Sequence, residues 1–123
     1  MDDRGLIQVL LVTSRGTGRW IVPKGWPTKA GARHTAKTEA WEESGVRGKV
    51  HHRALGTFEY DKRLRKGPVR CTLKLFPLAV KKQAKRWPEM GQRKAQWFTL
   101  KEAARRCSDP ALGRLLKKLT KLT

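Results

Sequence analysis

The chain has 123 residues, 29 Lys and Arg against 10 Asp and Glu, and a net charge of +19 at pH 7. This length suits one domain over residues 1–123, and the longest apolar runs, at residues 9–12 and 75–80, are too short to cross a bilayer. Two cysteines, Cys71 and Cys107, exclude a disulfide framework, and no charged segment leads into an apolar one at the start, so a reducing cytoplasm is the expected setting.

Residues 6–13, rich in Leu and Val, read as a strand. Arg15-Gly-Thr-Gly is a turn, because Gly16 and Gly18 permit unusual backbone angles. Residues 20–22 form a short strand stopped by Pro23, and residues 25–31 form a loop that contains Pro27. Ala32–Ser44 is a helix, with Gly45 as the residue that ends it. Residues 50–60 are extended, with a bulge near Gly56, and residues 61–68 form a basic hairpin loop. Residues 69–80 make a strand in which Pro77 marks an edge or a bulge. Residues 95–98 are a short strand and residues 100–107 a short helix. Residues 110–122 form a longer helix, with Pro110 in its first turn. Strands alternating with helices, several strands in succession, indicate a mixed α/β or α+β sandwich.

The charge implies a polyanionic partner, bound in a salt-sensitive way. The basic residues are spread along the whole chain rather than gathered in a tail, so they coat a folded surface. Denser groups lie at Lys62, Arg63, Arg65 and Lys66, and at Lys81, Lys82, Lys85 and Arg86. A solvated loop is the ordinary explanation of each. His34, His51 and His52 share no metal-ligand spacing with the cysteines, which argues against zinc.

The acids are more informative. Glu39, Glu42 and Glu43 fall on the expected helix at offsets of three and four, which places all three on one face. Crowded like charges destabilise a helix. Salt bridges to surface Lys and Arg would explain such a face in an arbitrary helix. A chain this short of acids has another reason to stack them: a hard divalent cation, Mg²⁺ or Mn²⁺. The preceding loop, Pro23-Lys24-Gly25-Trp26-Pro27, can bring backbone groups to the same place, and Gly25 allows close approach.

At these residues the sequence resembles the Nudix hydrolase family. The family signature runs Gly-x5-Glu-x7-Arg-Glu-U-x-Glu-Glu-x-Gly-U, with U aliphatic. The chain reads Gly25, then Thr38-Glu39-Ala40-Trp41-Glu42-Glu43-Ser44-Gly45-Val46. Upstream, Trp20-Ile21-Val22-Pro23-Lys24-Gly25 is similar to the strand and loop that precede the signature. Downstream, Gly56-Thr57-Phe58-Glu59, the strand at residues 71–80, Trp87-Pro88-Glu89 and Arg93-Lys94-Ala95-Gln96-Trp97-Phe98 resemble the diphosphoinositol polyphosphate phosphohydrolase branch, which also cleaves dinucleoside polyphosphates. The resemblance runs from Val9 to about Leu119.

The resemblance implies an α/β/α sandwich with a central mixed sheet and a loop–helix–loop catalytic motif. It implies a metal-dependent pyrophosphohydrolase that cleaves a phosphoanhydride in a highly phosphorylated small molecule. Glu39, Glu42 and Glu43 would be catalytic and would bind the metal together with the carbonyl of Lys24; one of the three would serve as general base. Arg19, Lys24, Gly25, Trp26, Arg63 and Arg93 would bind substrate. Glu59 and Glu89 are candidates for a fourth carboxylate, with a plain surface role as the other reading of each. A rival from another class is a Nudix-fold module with weakened catalysis that binds RNA or DNA through its basic surface. A hydrolase for nucleoside triphosphates is a third reading.

The sequence departs from the signature in three places. The interval from Gly25 to Glu39 is one residue short, Ala30 or Gly31 stands where the first Glu belongs, and Thr38 replaces the Arg before Glu39. The chain also opens on what resembles the family's second strand, which would leave a sheet edge unpaired. Leu112, Leu115, Leu116, Leu119 and Leu122 form a stripe at helical spacing, expected to pack on the chain's own sheet rather than on a membrane. Oligomeric state is not legible in the sequence.

Overall fold

The computed structural model describes residues 7–24, 29–107 and 109–122. Its elements in order are β1 (Gln8–Thr13), β2 (Trp20–Ile21), α1 (Ala32–Ser44), β3 (Val46–Val50), β4 (Gly56–Leu64), β5 (Gly67–Leu75), β6 (Leu78–Gln83), β7 (Ala95–Thr99), α2 (Leu100–Arg106), α3 (Pro110–Leu116) and a 3₁₀ segment (Lys117–Leu122). Among the described residues no helix is long and apolar enough to cross a membrane.

The helix that carries the acids spans the expected residues. Gly45 beyond its end has φ 74° and donates its N–H to the carbonyl of Trp41 at 2.9 Å, the left-handed closure for which glycine is suited. A Cβ on Gly45 would lie 2.4 Å from the Trp87 ring, so this glycine also lets the indole close over the helix end.

The strands are cut differently from the sequence expectation. Residues 50–60 belong to two strands, β3 and β4, and the bulge falls between Arg47 and Gly48 rather than near Gly56. The reason is a close approach: a Cβ on Gly48 would sit 1.9 Å from the carbonyl oxygen of Ala79 on the partner strand β6. The basic hairpin loop is shorter than expected, because β4 runs to Leu64 and Gly67, at φ 115°, closes a tight turn. The strand at residues 69–80 breaks at Pro77, which has no N–H to offer a ladder. Its carbonyl still accepts from His51 N–H at 2.8 Å.

Among the described residues the strands form three hydrogen-bonded sets, β2-β1-β7, β3-β6 and β4-β5, every pair antiparallel. A largely apolar cavity of about 650 Å³ separates the sets, with Leu10, Ala36, Ala40, Leu73 and Leu78 among its walls. In the core Leu11, Phe58, Phe98, Ala103 and Leu112 are buried together. Leu112, Leu115 and Leu116 are buried and Leu119 packs against them, so the leucine stripe covers the chain's own strands. Thr99 caps α2 by accepting from Glu102 N–H at 3.2 Å, and Asp109 caps α3 through Ala111 N–H at 2.8 Å.

Gly48 gives a direct test of the β3–β6 contact. Gly48→Ala is expected to force the two strands apart and to cost about 3 kcal/mol, the upper end for overpacking. Urea denaturation measures this, and an unchanged midpoint contradicts the packing described.

Candidate active site

Four carboxylates converge where α1 meets the loop between β6 and β7. Glu39, Glu42 and Glu43 follow from the helical spacing. Glu89 is brought to them by the loop, which is sewn to the end of α1. Ala84 N–H donates to the Gly45 carbonyl and Glu89 N–H to the Glu42 carbonyl, each at 2.9 Å. Two further turn bonds, Met90 N–H to Trp87 and Gln92 N–H to Glu89, hold the loop in shape.

One carboxylate oxygen each from Glu39, Glu42 and Glu89 lies within 4.8 Å of the other two, and all three residues are half-buried. Oxygens on one Mg²⁺ sit about 2.1 Å from the ion and so at most about 4.2 Å apart. The cluster thus needs only a small closure to hold such a cation. The donor set, all carboxylate oxygen, is of the kind hard divalent ions select.

Glu43 occupies a different setting, with only 2 % of its surface exposed. It lies close enough to Glu39 for that carboxyl to shift its pKa, accepts from the backbone N–H of Lys24 at 3.3 Å, and faces Arg93 across 3.0 Å. The Arg93 contact is ionic without hydrogen-bond alignment, which leaves Glu43 Oε1 buried and unbonded. Burial, then the neighbouring Glu39 carboxyl, raise the Glu43 pKa to about 8, against the opposing pull of Arg93.

Arg93 is itself buried, with 9 % of its side chain exposed. Its second guanidinium nitrogen pairs with Glu89 at 2.9 Å, and its first also reaches the Thr13 carbonyl at 3.4 Å. The adjacent backbone is fixed to β1: Lys94 N–H donates to Thr13 Oγ1 and Thr13 N–H to the Lys94 carbonyl, each at 2.9 Å.

A cleft of about 850 Å³ has Arg19, Lys24, Glu59, Tyr60 and Arg70 among its walls, and Lys24, which donates its N–H to Glu43, links it to the carboxylates. The Lys24 ammonium lies 4.6 Å above the Tyr60 ring. Glu59 is tied to Arg70 at 3.0 Å, on a side of the cleft apart from the Glu39–Glu42–Glu89 cluster.

No family model matches the chain. Individual proteins do. It is 33% identical over 110 residues to Nudix hydrolase 16, mitochondrial, of Arabidopsis thaliana, covering 85% of this chain and 61% of that protein. It is 33% identical over 118 residues to diphosphoinositol polyphosphate phosphohydrolase 3-alpha of Mus musculus, covering 91% of this chain and 68% of that protein. The chain belongs to the Nudix hydrolase family. Its fold is shared with a C. elegans Ap4A hydrolase, at a TM-score of 0.62 and 19% identity over 96% of this chain and 87% of the other. The chain spans about 61% of the length of the Arabidopsis relative.

Within this Nudix domain the residues expected from sequence separate into groups. Glu39, Glu42 and Glu43 stand together on α1, and Lys24 meets them through its amide. Arg19 and Lys24 line the cleft. Gly25 and Trp26 lie outside the described residues, and Arg63 is in β4 with its side chain outside them. Arg93, expected to bind substrate, is packed among the carboxylates, paired with half-buried Glu89 and in contact with buried Glu43. The sequence pattern named Glu89 only as one candidate of two. Its signal is the Trp87-Pro88-Glu89 run, whose indole packs on the glycine that ends α1.

Proposed function

We propose that this chain is a pyrophosphohydrolase dependent on Mg²⁺ or Mn²⁺ that cleaves a phosphoanhydride in a highly phosphorylated small molecule, a diphosphoinositol polyphosphate or a dinucleoside polyphosphate. The observation that carries this reading is the three-carboxylate cluster of Glu39, Glu42 and Glu89, joined through Glu43 and the Lys24 N–H to a cleft with Arg19, Lys24 and Arg70 in its walls. Family membership supports it, and so do the names of the murine and nematode proteins it resembles.

Glu39, Glu42 and Glu89 would hold the cation, with Glu43 behind Glu39. When bound, the metal supplies a polarised phosphoryl group and a water of lowered pKa. Arg19 and Lys24 neutralise charge on the phosphoryl oxygens and orient the chain of phosphates. Arg70, already paired with Glu59 and Asp61, borders the far side. Glu43, buried behind the cluster with its pKa raised in the metal-free protein, would be the group that exchanges protons with it. A cytoplasmic setting belongs to the same proposal and is supported by two buried free thiols, Cys71 and Cys107.

A second reading rests on a specific surface. Arg47, Lys49, Lys81, Lys82, Lys85 and Arg86 are exposed on and beside β3 and β6, and among the described residues none of the six is paired with a carboxylate. Such a strip also suits RNA or DNA. One experiment separates the two readings. Phosphate and nucleotide release is followed over a panel of diphosphoinositol and dinucleoside polyphosphates, with Mg²⁺ titrated in and EDTA as control. Metal-dependent turnover is the expected result. Absence of turnover, together with tight RNA binding that falls steeply with salt and ignores EDTA, overturns the enzyme reading.

A further inference from the structure

We propose that Arg93 is a positioning residue that sets the spacing of the cation cluster. The inference rests on the metal-site reading above. Glu89 lies on a loop and Glu43 on α1, and the guanidinium of Arg93 spans the two, at 2.9 Å and 3.0 Å. The same side chain reaches the Thr13 carbonyl on β1. One planar group therefore links the three segments that meet at the site.

The geometry explains why an arginine stands here. The fork donates from one nitrogen to Glu89 and from the other to the Thr13 carbonyl at a fixed spread, with Glu43 in ionic contact, which a lysine ammonium cannot do. Arg93 holds Glu89 Oε1, and so fixes the carboxylate that approaches Glu39 and Glu42 within 4.8 Å. The helix itself supplies no such clamp: the residue before Glu39 is Thr38, too short and uncharged to hold a carboxylate in this way. The positioning charge comes from 54 residues further along the chain than Glu39, carried by the loop that joins β6 to β7.

Two roles for Arg93 predict opposite signs. A cation that merely neutralises nearby acids competes with the metal, so its removal strengthens metal binding. A residue that holds ligands in place supports the metal, and loss of such a partner weakens binding about 10- to 100-fold. Mn²⁺ affinity is measured directly by titration on wild type, Arg93→Gln, Arg93→Lys, Glu89→Gln and the Arg93→Gln/Glu89→Gln pair. Melting in EDTA reports folding separately.

The expected result is weaker Mn²⁺ binding in Arg93→Gln, by about 10-fold or more. Arg93→Lys, which keeps the charge and guards against a variant that fails to fold, falls between it and wild type. The double variant loses little beyond Glu89→Gln, since Arg93 acts largely through Glu89. Equal or tighter Mn²⁺ binding in both Arg93 variants overturns the inference and leaves the metal site standing. Wild type that binds no Mn²⁺ overturns both.

Discussion

Glu42→Gln is expected to lower turnover of the preferred polyphosphate by more than about 100-fold, because partners one shell further from a metal already cost about 10- to 100-fold when lost. Glu39→Gln should behave alike. The same substitutions are expected to leave the protein in EDTA as stable as wild type or more so. Each removes a charge from a group of acids whose oxygens lie within 4.8 Å of one another, and like charges at this spacing are destabilising. Loss of activity with a gain in stability marks a carboxylate kept for chemistry. Glu102 provides the comparison: it is paired with Arg105 and Arg106 on the exposed face of α2, and Glu102→Gln should keep turnover within about twofold, as surface ion pairs contribute little. Steady-state kinetics and thermal melts on the three variants check this. A Glu42→Gln enzyme that turns over like Glu102→Gln removes the carboxylates from the mechanism.

The charge distribution acquires a sharper meaning in this light. Four of the ten acids in the chain, Glu39, Glu42, Glu43 and Glu89, gather at one place. Others serve evident local purposes: Asp109 caps α3, Glu102 supports α2, and Glu59 and Asp61 hold Arg70 across the β4–β5 ladder. A surface so rich in cations therefore surrounds one anionic centre. On the function proposed above, that arrangement would attract a polyphosphate toward a position where only a bound cation makes the carboxylates compatible with it.

Much of this was legible in the sequence, and the exceptions have physical causes. Local rules settled α1: a run of helix formers, closed by a glycine able to take positive φ. They also placed Glu39, Glu42 and Glu43 on one face, because helical geometry is fixed by spacing alone. The strand boundaries depended on contacts between distant residues. The β3 bulge exists because Gly48 meets Ala79, and nothing within residues 46–50 announces Ala79. The contacts of Arg93 are hidden from the sequence for a similar reason. An arginine in a basic chain reads as surface until the fold shows two carboxylates and a strand carbonyl converging on it. Gaps between the strand sets were likewise invisible, since pairing partners follow from the path of the whole chain.

Glu43 gives the other large expected effect, in stability rather than turnover. Its pKa rises from an ordinary 4.5 to about 8, chiefly from burial and then from the neighbouring Glu39 carboxyl, while Arg93 opposes and the charges of Glu39 and Glu89 reinforce the rise. A carboxyl that binds its proton more tightly in the folded state favours folding most at low pH. That contribution is fully present below the unfolded value of about 4.5 and is lost as pH rises through about 8. The native protein in EDTA should therefore lose stability across this window, on the order of a few kcal/mol. Glu43→Gln mimics the protonated form at every pH, so its stability should not carry this slope. The difference between the two proteins removes every contribution they share. Chemical denaturation at a series of pH values measures that difference. It should be small near pH 5 and grow in favour of Glu43→Gln toward pH 8; parallel curves would mean that Glu43 ionises as readily in the fold as outside it, and that its place between Glu39 and Arg93 costs the protein nothing.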